Sequence, residues 1–466
     1  MTDSPDAAAS STPSDAPGTP GASGAPGAPG PSAGRPAVSR RRLLGAVGAG
    51  AVAGAALGVG GAALADRDGG SSDGSSGASS GGGSADGGAA TVAFRAGHQA
   101  GIATPAQDRL CFATFDVAPT ATRADLAELL ATWTAAAEAM TRGLPVPGDK
   151  GDLNTPPDDT GEAAGLTPGR LTITVGYGPS LFDGRFGLAA RRPSALKPLP
   201  ELPGENLDPA GSGGDICVQA CADDPQVAFH AVRNLRRLGF GTLVPRWMEL
   251  GFGRTSSTSP QQTTPRNLLG FKDGTRNIDA TNAGLIGRHV WIGEEEPQRW
   301  ARGGSYLVAR KIKMRMEQWD RDRLGDQQNV FGRFKDTGAP LTGAKEFDTP
   351  DFAAKNGSQY VIPADAHIRL AAHENNNGLR ILRRGYSYTD GIDPETGDLL
   401  GGLFFIAFMK SPQQFVTLQR VLGAHDALNE YIQHIGSGVF MAPPGLAAGQ
   451  DWGRQLFGQG GPAQGA

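Results

Sequence analysis

The chain has 466 residues, of which 70 are glycine and 34 are proline, and its formal net charge at pH 7 is -4. Its size and its 3 cysteines exclude a small disulfide-stapled protein, and the apolar segments after Thr91 exclude a collagen-like or wholly disordered chain. No long basic block follows the N-terminal region, so the sequence gives no indication of nucleic-acid binding.

The N-terminal region has the pattern of an export signal. Three consecutive arginines within residues 39–44 are followed by an uncharged stretch over 45–65 that ends in an Ala-x-Ala cleavage pattern. We predict a twin-arginine signal peptide over residues 1–65 and a disordered Gly/Ser linker over 66–90. The folded protein is then exported, with an extracellular, cell-surface or periplasmic location and no stable membrane span after cleavage. An uncleaved membrane anchor is the alternative.

The first half of the folded chain combines strand and helix patterns. Runs rich in apolar and aromatic residues predict strands at 110–117, 171–175 and 215–219. Apolar residues at helical spacing predict helices at 123–142 and 224–238. Asp224 is the expected N-cap of the second helix, because Pro225 then takes the first helical position.

The same order of elements returns in the second half. Strand patterns occupy residues 306–316 and 403–409, and helical patterns occupy 321–333, 412–422 and 428–435. The repeated order favours an α+β fold of layered sheets and helices over alternating βαβ units. We therefore divide the folded chain into halves at 91–280 and 281–455, followed by a flexible tail at 456–466.

The three cysteines fit core positions. Cys217 and Cys221 are four residues apart, which on a helix is poor disulfide geometry, and no second Cys or His pair nearby completes a zinc site. We expect both of them, and Cys111 in its strand-like run, to be buried apolar residues.

Three segments carry residues suited to chemistry. Asp273 lies between two glycines in a predicted tight loop, His367 lies in a strand-like run, and Arg383 begins an arginine pair beside aromatic residues. Each alone has an ordinary structural explanation: a turn, a buried histidine or a solvated arginine pair. A histidine, an aspartate and an arginine are the residue types that serve as imidazole ligand, acid–base group and fixed cation in a haem peroxidase site.

The sequence resembles the dye-decolourising peroxidase family, especially its exported branch. The main matches are the Gly-x-x-Asp-Gly loop that ends at Gly274, the block that begins at His367 and the block around Arg383. Further matching blocks lie at 97–102, 178–182, 214–219, 303–306 and 403–408. The resemblance extends over residues 92–445, which is nearly all of the predicted folded chain.

The resemblance implies a fold and a cofactor. The family fold is a pair of ferredoxin-like halves with antiparallel sheets, similar to a dimeric α+β barrel, with one haem b per chain in the C-terminal half. His367 corresponds to the axial ligand of the haem iron. Asp273 corresponds to the distal carboxylate that moves a proton, and Arg383 to the distal arginine that binds peroxide and supports a haem propionate.

Further haem contacts are expected from the same resemblance. The candidates are Gly274, Thr275, Arg276, Arg333, Ala372, His373, Glu374, Phe405 and Phe408. Residues 372–374 read Ala-His-Glu where the family frequently has Asn-Pro-Arg, so His373 is a rival to His367 as axial ligand. Asp426 is the expected carboxylate partner of the ligating imidazole.

The implied activity is a peroxidase that reduces hydrogen peroxide and oxidises dyes, phenols or other one-electron donors. A carboxylic acid as distal group predicts an optimum below about pH 5. Large dyes cannot reach a buried haem, which makes Tyr386 and Tyr388 candidates for a surface electron relay. Release of iron from haem with the porphyrin intact is an alternative, and a non-catalytic haem carrier is another.

The partners of the protein depend on which activity holds. An iron-uptake permease as genomic neighbour would favour iron release, whereas a copper oxidase as neighbour would favour a peroxidase at the cell surface. The sequence leaves the homo-oligomeric state and the physiological reductant open.

Overall fold

The computed structural model describes residues 91–148, 153–258 and 262–458. The predicted signal peptide and linker lie outside these residues. The strands are β1 (Arg109–Val117), β2 (Thr172–Tyr177), β3 (Ile216–Ala222), β4 (Leu243–Arg254), β5 (Ser305–Met314), β6 (Lys355–Asn356), β7 (Gln359–Tyr360), β8 (Leu382–Arg383), β9 (Tyr386–Ile392), β10 (Leu399–Met409) and β11 (Ile432–Ala442). The helices are α1 (Arg123–Met140), α2 (Pro225–Leu238), α3 (Ala283–His289), α4 (Met316–Trp319), α5 (Leu324–Phe331), α6 (His367–Ala371), α7 (Pro412–His425) and α8 (Trp452–Phe457).

The main sheet closes on itself. Its strand order is β5-β11-β2-β3-β1-β4-β9-β10-β8, and β10 also pairs with β5. All of these pairings are antiparallel, so eight of the nine strands form a closed barrel. The short β8 continues the line of β9 along β10, where Arg383 pairs with Ala407.

The barrel consists of two groups of four strands with the same internal order. The first is β2-β3-β1-β4 and the second is β11-β5-β10-β9, and β4–β9 and β11–β2 pairings join them. In each group the first strand of the chain lies between the third and the fourth, which is the ferredoxin-like arrangement. The expected fold is confirmed. The predicted boundary at residue 280 falls between β4 and β5.

Alternate residues of each strand point to opposite sides of the barrel wall. The interior is filled by one apolar cluster, which includes Leu110, Phe112, Phe404, Ile406 and Phe408. The residues between them face outward, toward the helices. This alternation decides which side chains of β10 can reach a site on the outer face.

The helices of the first half pack tightly on the outer face of the barrel. Thr122 begins α1 with a capping box, and the Asp224 side chain caps α2, with Pro225 next, as predicted. Trp133 of α1 is fully buried, and its indole nitrogen donates to the Leu235 carbonyl at 2.8 Å. Apolar side chains of β1, β2 and β3 complete this cluster.

The second half is covered differently. Where one long helix, α1, links β1 to β2, the chain between β5 and β9 forms the short helices α4, α5 and α6, the small hairpin β6–β7 and the two-residue strand β8. The single long helix over the outer face is α7, which has a Ser411 capping box. Part of the outer face of β5, β10 and β11 is therefore left to line a cavity.

The predicted strand around His367 is wrong. His367 is the first residue of helix α6, and the Arg369 side chain donates to the carbonyls of Ile362 and Pro363 just before that helix. The run Ala-His-Ile-Arg-Leu-Ala is too short for apolar periodicity to separate strand from helix. Its alanines, arginine and leucine are good helix formers.

Two expectations near the C-terminus also need correction. The predicted helix over 428–435 is wrong. The chain forms a short 3₁₀ turn at Ala427–Glu430 and then β11, which pairs with β5 in the barrel from Ile432 onward. The predicted tail at 456–466 starts too early, since Leu456 and Phe457 are buried residues of α8. Residues 459–466 lie outside the described part.

The cysteine expectation is confirmed, because Cys111, Cys217 and Cys221 are free and buried. They lie on strands β1 and β3. Among the described residues, no helix is both long and apolar enough to cross a bilayer.

Candidate active site

A large cavity lies between the outer face of the second half and helices α5, α6 and α7. It encloses about 1690 Å³ of space free of protein atoms, open mouth included. Its apolar walls include Ile312, Met314, Phe331, Leu403, Phe405, Phe415 and Leu418. Its charged lining includes Lys272, Asp273, Arg276, Arg333, Arg380 and Arg383. Such a cavity suits an apolar ligand that carries anionic groups.

His367 lines one side of the cavity and is held by a buried carboxylate. Its Nδ1 lies 2.6 Å from Oδ2 of Asp426, whose side chain is only 2% exposed. The other oxygen of Asp426 accepts from the backbone N–H of Leu428 at 2.9 Å. The expected partner of the imidazole is therefore in place. This pairing orients the ring and leaves Nε2 as the nitrogen that can ligate a metal.

The charge state of His367 is set by two opposing effects. Burial disfavours the imidazolium, but the neighbouring Asp426 carboxylate outweighs burial, so the pKa of His367 is raised above its ordinary value. The same carboxylate makes the neutral ring a stronger electron donor to a bound metal.

Asp273 and Arg383 meet on the loop side of the cavity. Arg383 NH1 donates to Oδ1 of Asp273 at 2.7 Å, and the two side chains are 27% and 17% exposed. Among the described residues, Oδ2 of Asp273 has only a long contact, 3.4 Å from the amide nitrogen of Asn267. One carboxylate oxygen is thus fixed by the cation, and the other is available for proton transfer.

The loop that carries Asp273 needs glycine next to it. Gly274 has φ +87°, and a Cβ there would lie 2.8 Å from the Cα of Ser256. Asn277, four residues after Asp273, donates to the Arg383 carbonyl at 2.8 Å and accepts from the Arg383 N–H at 2.8 Å. Asn277 therefore holds Arg383 to the loop. Sequence reasoning missed this residue.

Most of the other expected contact residues do line the cavity: Gly274, Thr275, Arg276, Arg333, Ala372, His373 and Phe405. Phe408 is an incorrect candidate, because it lies in the barrel interior with the same orientation as Phe404 and Ile406. Phe405, which has the opposite orientation, reaches the cavity.

Glu374 and His373 are engaged with Arg276. Glu374 forms a two-pronged ion pair with Arg276, with distances of 2.6 and 3.1 Å, and is not part of the cavity lining. His373 Nε2 lies 3.3 Å from NH2 of Arg276. Burial and the nearby Arg380 lower the pKa of His373. His367, with its buried carboxylate partner, is the better placed of the two histidines for ligation.

The proposed surface relay residues are not on the surface. Tyr386 and Tyr388 are buried inside the barrel, at 0% and 1% exposure. A tyrosine inside the barrel cannot touch a large dye, so this expectation is wrong.

The cations of the cavity exceed its carboxylates. Arg333 is nearly buried, and burial together with the neighbouring Arg276 and Arg383 lowers its pKa to about 10. These guanidiniums would pair with the propionates of a haem whose iron is ligated by His367, while the apolar walls would pack on the macrocycle. The donor set of this cavity therefore fits a haem group.

Comparisons with known proteins agree with this geometry. Models of the N-terminal and C-terminal domains of Dyp-type peroxidases match residues 99–253 and 264–447. A deferrochelatase of Escherichia coli K12 is 40% identical over 366 residues, which are 77% of this chain and 85% of the relative.

Solved structures give the same result. Ferric DtpA from Streptomyces lividans is 38% identical with a TM-score of 0.72, covering 79% of this chain and 97% of that one. A DyP-type peroxidase from Streptomyces coelicolor, also 38% identical, has a TM-score of 0.73 with the same coverage. The chain belongs to the Dyp-type peroxidase family. It is a haem-dependent enzyme that uses hydrogen peroxide and an electron donor.

Proposed function

We propose that Asp273, Arg383 and His367 carry the peroxidase reaction: Asp273 as the proton-transfer group, Arg383 as the fixed cation and His367 as the residue that would hold the haem iron. The observation that carries the proposal is the Asp273–Arg383 pair on the cavity lining that also contains the His367–Asp426 pair. When bound, the haem supplies the iron that takes part in peroxide reduction and in the one-electron oxidations that follow.

Asp273 acts as base and then as acid. Its Oδ2 would take one proton from the incoming peroxide and return it to the oxygen that leaves as water, while a bound haem would supply the two electrons for cleavage of the O–O bond and take up the other oxygen. Arg383 keeps Oδ1 occupied, so the proton is exchanged at one defined atom. The expected activity optimum stays below about pH 5, because the ordinary pKa of a carboxylic acid is far below that of an imidazole.

Arg383 stabilises the negative charge that develops as the O–O bond breaks. Among the described residues, only Asp273 accepts a hydrogen bond from its guanidinium, which leaves further N–H groups for peroxide or for a propionate. Asn277 keeps this cation in position without any reorganisation during the reaction. Asp426 orients the His367 ring and sustains its basicity.

Rapid mixing of the haem-loaded protein with one equivalent of peroxide tests these roles. We expect Asp273→Asn and Arg383→Leu each to slow the loss of Soret absorbance by about 100-fold or more. Asp279→Asn is the matched control, since Asp279 caps Thr281 outside the cavity lining. Wild-type rates in both cavity variants would refute the assignment.

We propose iron release from haem as a second activity, supported by the 40% identity to proteins named deferrochelatase. In this reaction two protons replace the iron on the porphyrin nitrogens. Incubation with haem, followed by fluorescence of metal-free porphyrin, measures it directly. Fluorescence that does not rise above a His367→Ala control would rule it out.

We also propose export through the twin-arginine route, supported by the arginine motif and the Ala-x-Ala pattern in the sequence. If the protein serves iron uptake, we expect a permease as its genomic neighbour. If it acts at the cell surface as a peroxidase, we expect a copper oxidase as neighbour. Replacing Arg41 and Arg42 by lysine and locating the protein by fractionation tests export. An unchanged exported fraction would exclude the twin-arginine route.

A further inference from the structure

Glu346 lies behind the loop that carries Asp273 and contacts residues on both sides of it. Its carboxylate forms an ion pair with Lys272, and Oε1 accepts from the Thr275 hydroxyl at 3.2 Å. The Glu346 side chain is only 11% exposed. It is not itself part of the cavity lining, whereas Lys272 and Thr275 are. One carboxylate thus fixes the residue before Asp273 and the residue two positions after it.

The backbone of Glu346 reaches a second cavity residue. Its carbonyl accepts from NH1 of Arg333 at 3.1 Å, and the same NH1 donates to the Gly338 carbonyl at 2.6 Å. Arg333 is one of the cavity cations. Glu346 therefore joins the Asp273 loop and the Arg333 side chain through one residue.

The turn that carries Glu346 is itself braced. Oδ2 of Asp348 accepts from the N–H groups of Ala344 and Lys345, both at 2.8 Å. Gly343 donates to the Pro340 carbonyl at 2.8 Å. These bonds fix the backbone just before Glu346, and Lys272 and Thr275 hold its carboxylate.

The charges around Asp273 are unbalanced without Glu346. The cavity lining near Asp273 contains Lys272, Arg276, Arg333 and Arg383 as cations, and Glu374 pairs with Arg276 at the exposed edge. Asp273 is paired with Arg383, which leaves Glu346 as the carboxylate facing Lys272. Nearby charges shift the protonation of a carboxyl group. Removing Glu346 thus makes the surroundings of Asp273 more positive.

We propose that Glu346 is a positioning residue for the peroxide reaction: it holds the Asp273 loop in register with Arg383 and offsets the positive charge beside it. The proposal rests on the role proposed for Asp273. Glu346 touches neither the cavity nor the reactants, so it acts through Lys272, Thr275 and the Arg333 side chain.

Three variants of the haem-loaded, full-length enzyme test the proposal by the rate constant for peroxide as a function of pH. Glu346→Ala removes the anchor, and we expect a loss of up to about 100-fold, which a displacement of a reacting group by about an ångström can cost. Glu346→Gln keeps a hydrogen bond to Thr275 but removes the charge. We expect it to move the pH of half-maximal rate downward, because the more positive surroundings favour the Asp273 carboxylate. A purely structural support would lower the rate without moving that pH.

The third variant combines Lys272→Glu with Glu346→Lys and so restores the ion pair with its charges exchanged. We expect it to recover most of the rate lost when Lys272→Glu or Glu346→Lys is made alone. Glu138→Gln is the matched control, because Glu138 pairs with Arg95 in the first half of the molecule. Haem absorbance and thermal unfolding of each variant separate folding defects from the positioning effect.

The outcomes distinguish the two proposals. A wild-type rate and pH profile in both Glu346→Ala and Glu346→Gln overturns the role of Glu346. If Asp273→Asn itself reacts at the wild-type rate, the proposed role of Asp273 fails, whatever the Glu346 variants do. A downward pH shift in Glu346→Gln with Asp273→Asn inactive supports both.

Discussion

The two halves of the barrel share one strand order but differ in what covers them. In the first half, α1 and α2 cover the outer face of β1, β2 and β3, and Trp133 packs with its apolar neighbours into one continuous core. In the second half, short helices and loops replace the first long helix, and the outer face of β5, β10 and β11 lines the cavity.

This difference shows where function enters a duplicated fold. The strands place alternate side chains outward in both halves, but His367, Asp273 and Arg383 surround only the outer face of the second half, with Asp273 supplied by the loop after β4. All three lie outside the regular helices and long strands of the first half's pattern: in a loop, at the start of a five-residue helix and on a two-residue strand. The first half, which we call the packed half, provides stability. The second half, which we call the hollow half, provides the cavity of the site.

The largest expected effect is on the hollow half. His367→Ala removes the candidate ligand, and we expect loss of haem retention and of peroxide reactivity, while the packed first half keeps the chain folded. Haem occupancy by absorbance after gel filtration, together with circular dichroism, measures both. His373→Ala is the control, because His373 contacts Arg276 instead. Equal loss of haem in the two variants would break the assignment of the ligand.

The packed half should respond to cavity creation instead. Trp133→Ala removes a buried indole and its bond to the Leu235 carbonyl, and we expect a loss of roughly 3–5 kcal/mol in the free energy of unfolding. Phe405→Ala, on the wall of the existing cavity, should cost less in the haem-free protein because its side chain already faces open space. Urea unfolding of both variants compares them. A larger loss at Phe405 would contradict the distinction between filled and hollow halves.

Period-two patterns and helix caps made much of this fold predictable. Local patterns predict two strands and one helix that the structure contains: the strands at 110–117 and 403–409 and the helix after Asp224. The Phe405 and Phe408 candidates could not be separated in the same way. Alternation along β10 predicts that Phe405 and Phe408 lie on opposite faces of the sheet. Which face lines the cavity depends on how the barrel closes, and no local pattern shows that.

The site itself was predictable only as a set of residues. The resemblance supplied His367, Asp273 and Arg383, and the reasoning about ligand basicity supplied Asp426. Glu346 and Asn277 were missed as partners because their contacts with the Asp273 loop and with Arg383 span 71 and 106 residues. No local pattern marks a carboxylate or an amide whose partners are so distant in the chain. Helix α6 was missed because five residues carry too little periodicity.

The wall of the hollow half also contains a buried histidine that should make stability depend on pH. His434 lies 3.4 Å from Nε of Arg310, and burial together with that cation lowers its pKa to about 3. The unfolded chain takes up this proton near pH 6.5, so unfolding becomes easier as the pH falls from 6.5 toward 3. At pH 4 the loss is about 3 kcal/mol relative to neutral pH.

His434→Gln should therefore flatten the pH dependence of unfolding over that range, although it also disturbs the bonds to Arg310 and Gln419. The measurement is urea unfolding of the haem-free chain at a series of pH values. His425→Gln is the control, because His425 is an exposed histidine outside the cavity lining. An unaltered slope in His434→Gln would show that His434 does not stay neutral in the folded chain.

The smallest expected effect concerns the edge of the cavity, where the chain departs from the family's Asn-Pro-Arg pattern. Glu374 neutralises Arg276 across the gap between the Asp273 loop and the segment after His367. The pair is partly exposed, so we expect Glu374→Gln to change unfolding by no more than about 1 kcal/mol. Freed from this carboxylate, Arg276 would be available to a haem propionate, and haem loss to an acceptor protein should slow severalfold. Arg276→Gln should speed it. Faster haem loss in Glu374→Gln would mean that the ion pair itself keeps the cavity closed, and that Arg276 serves the fold of the hollow half rather than its cofactor.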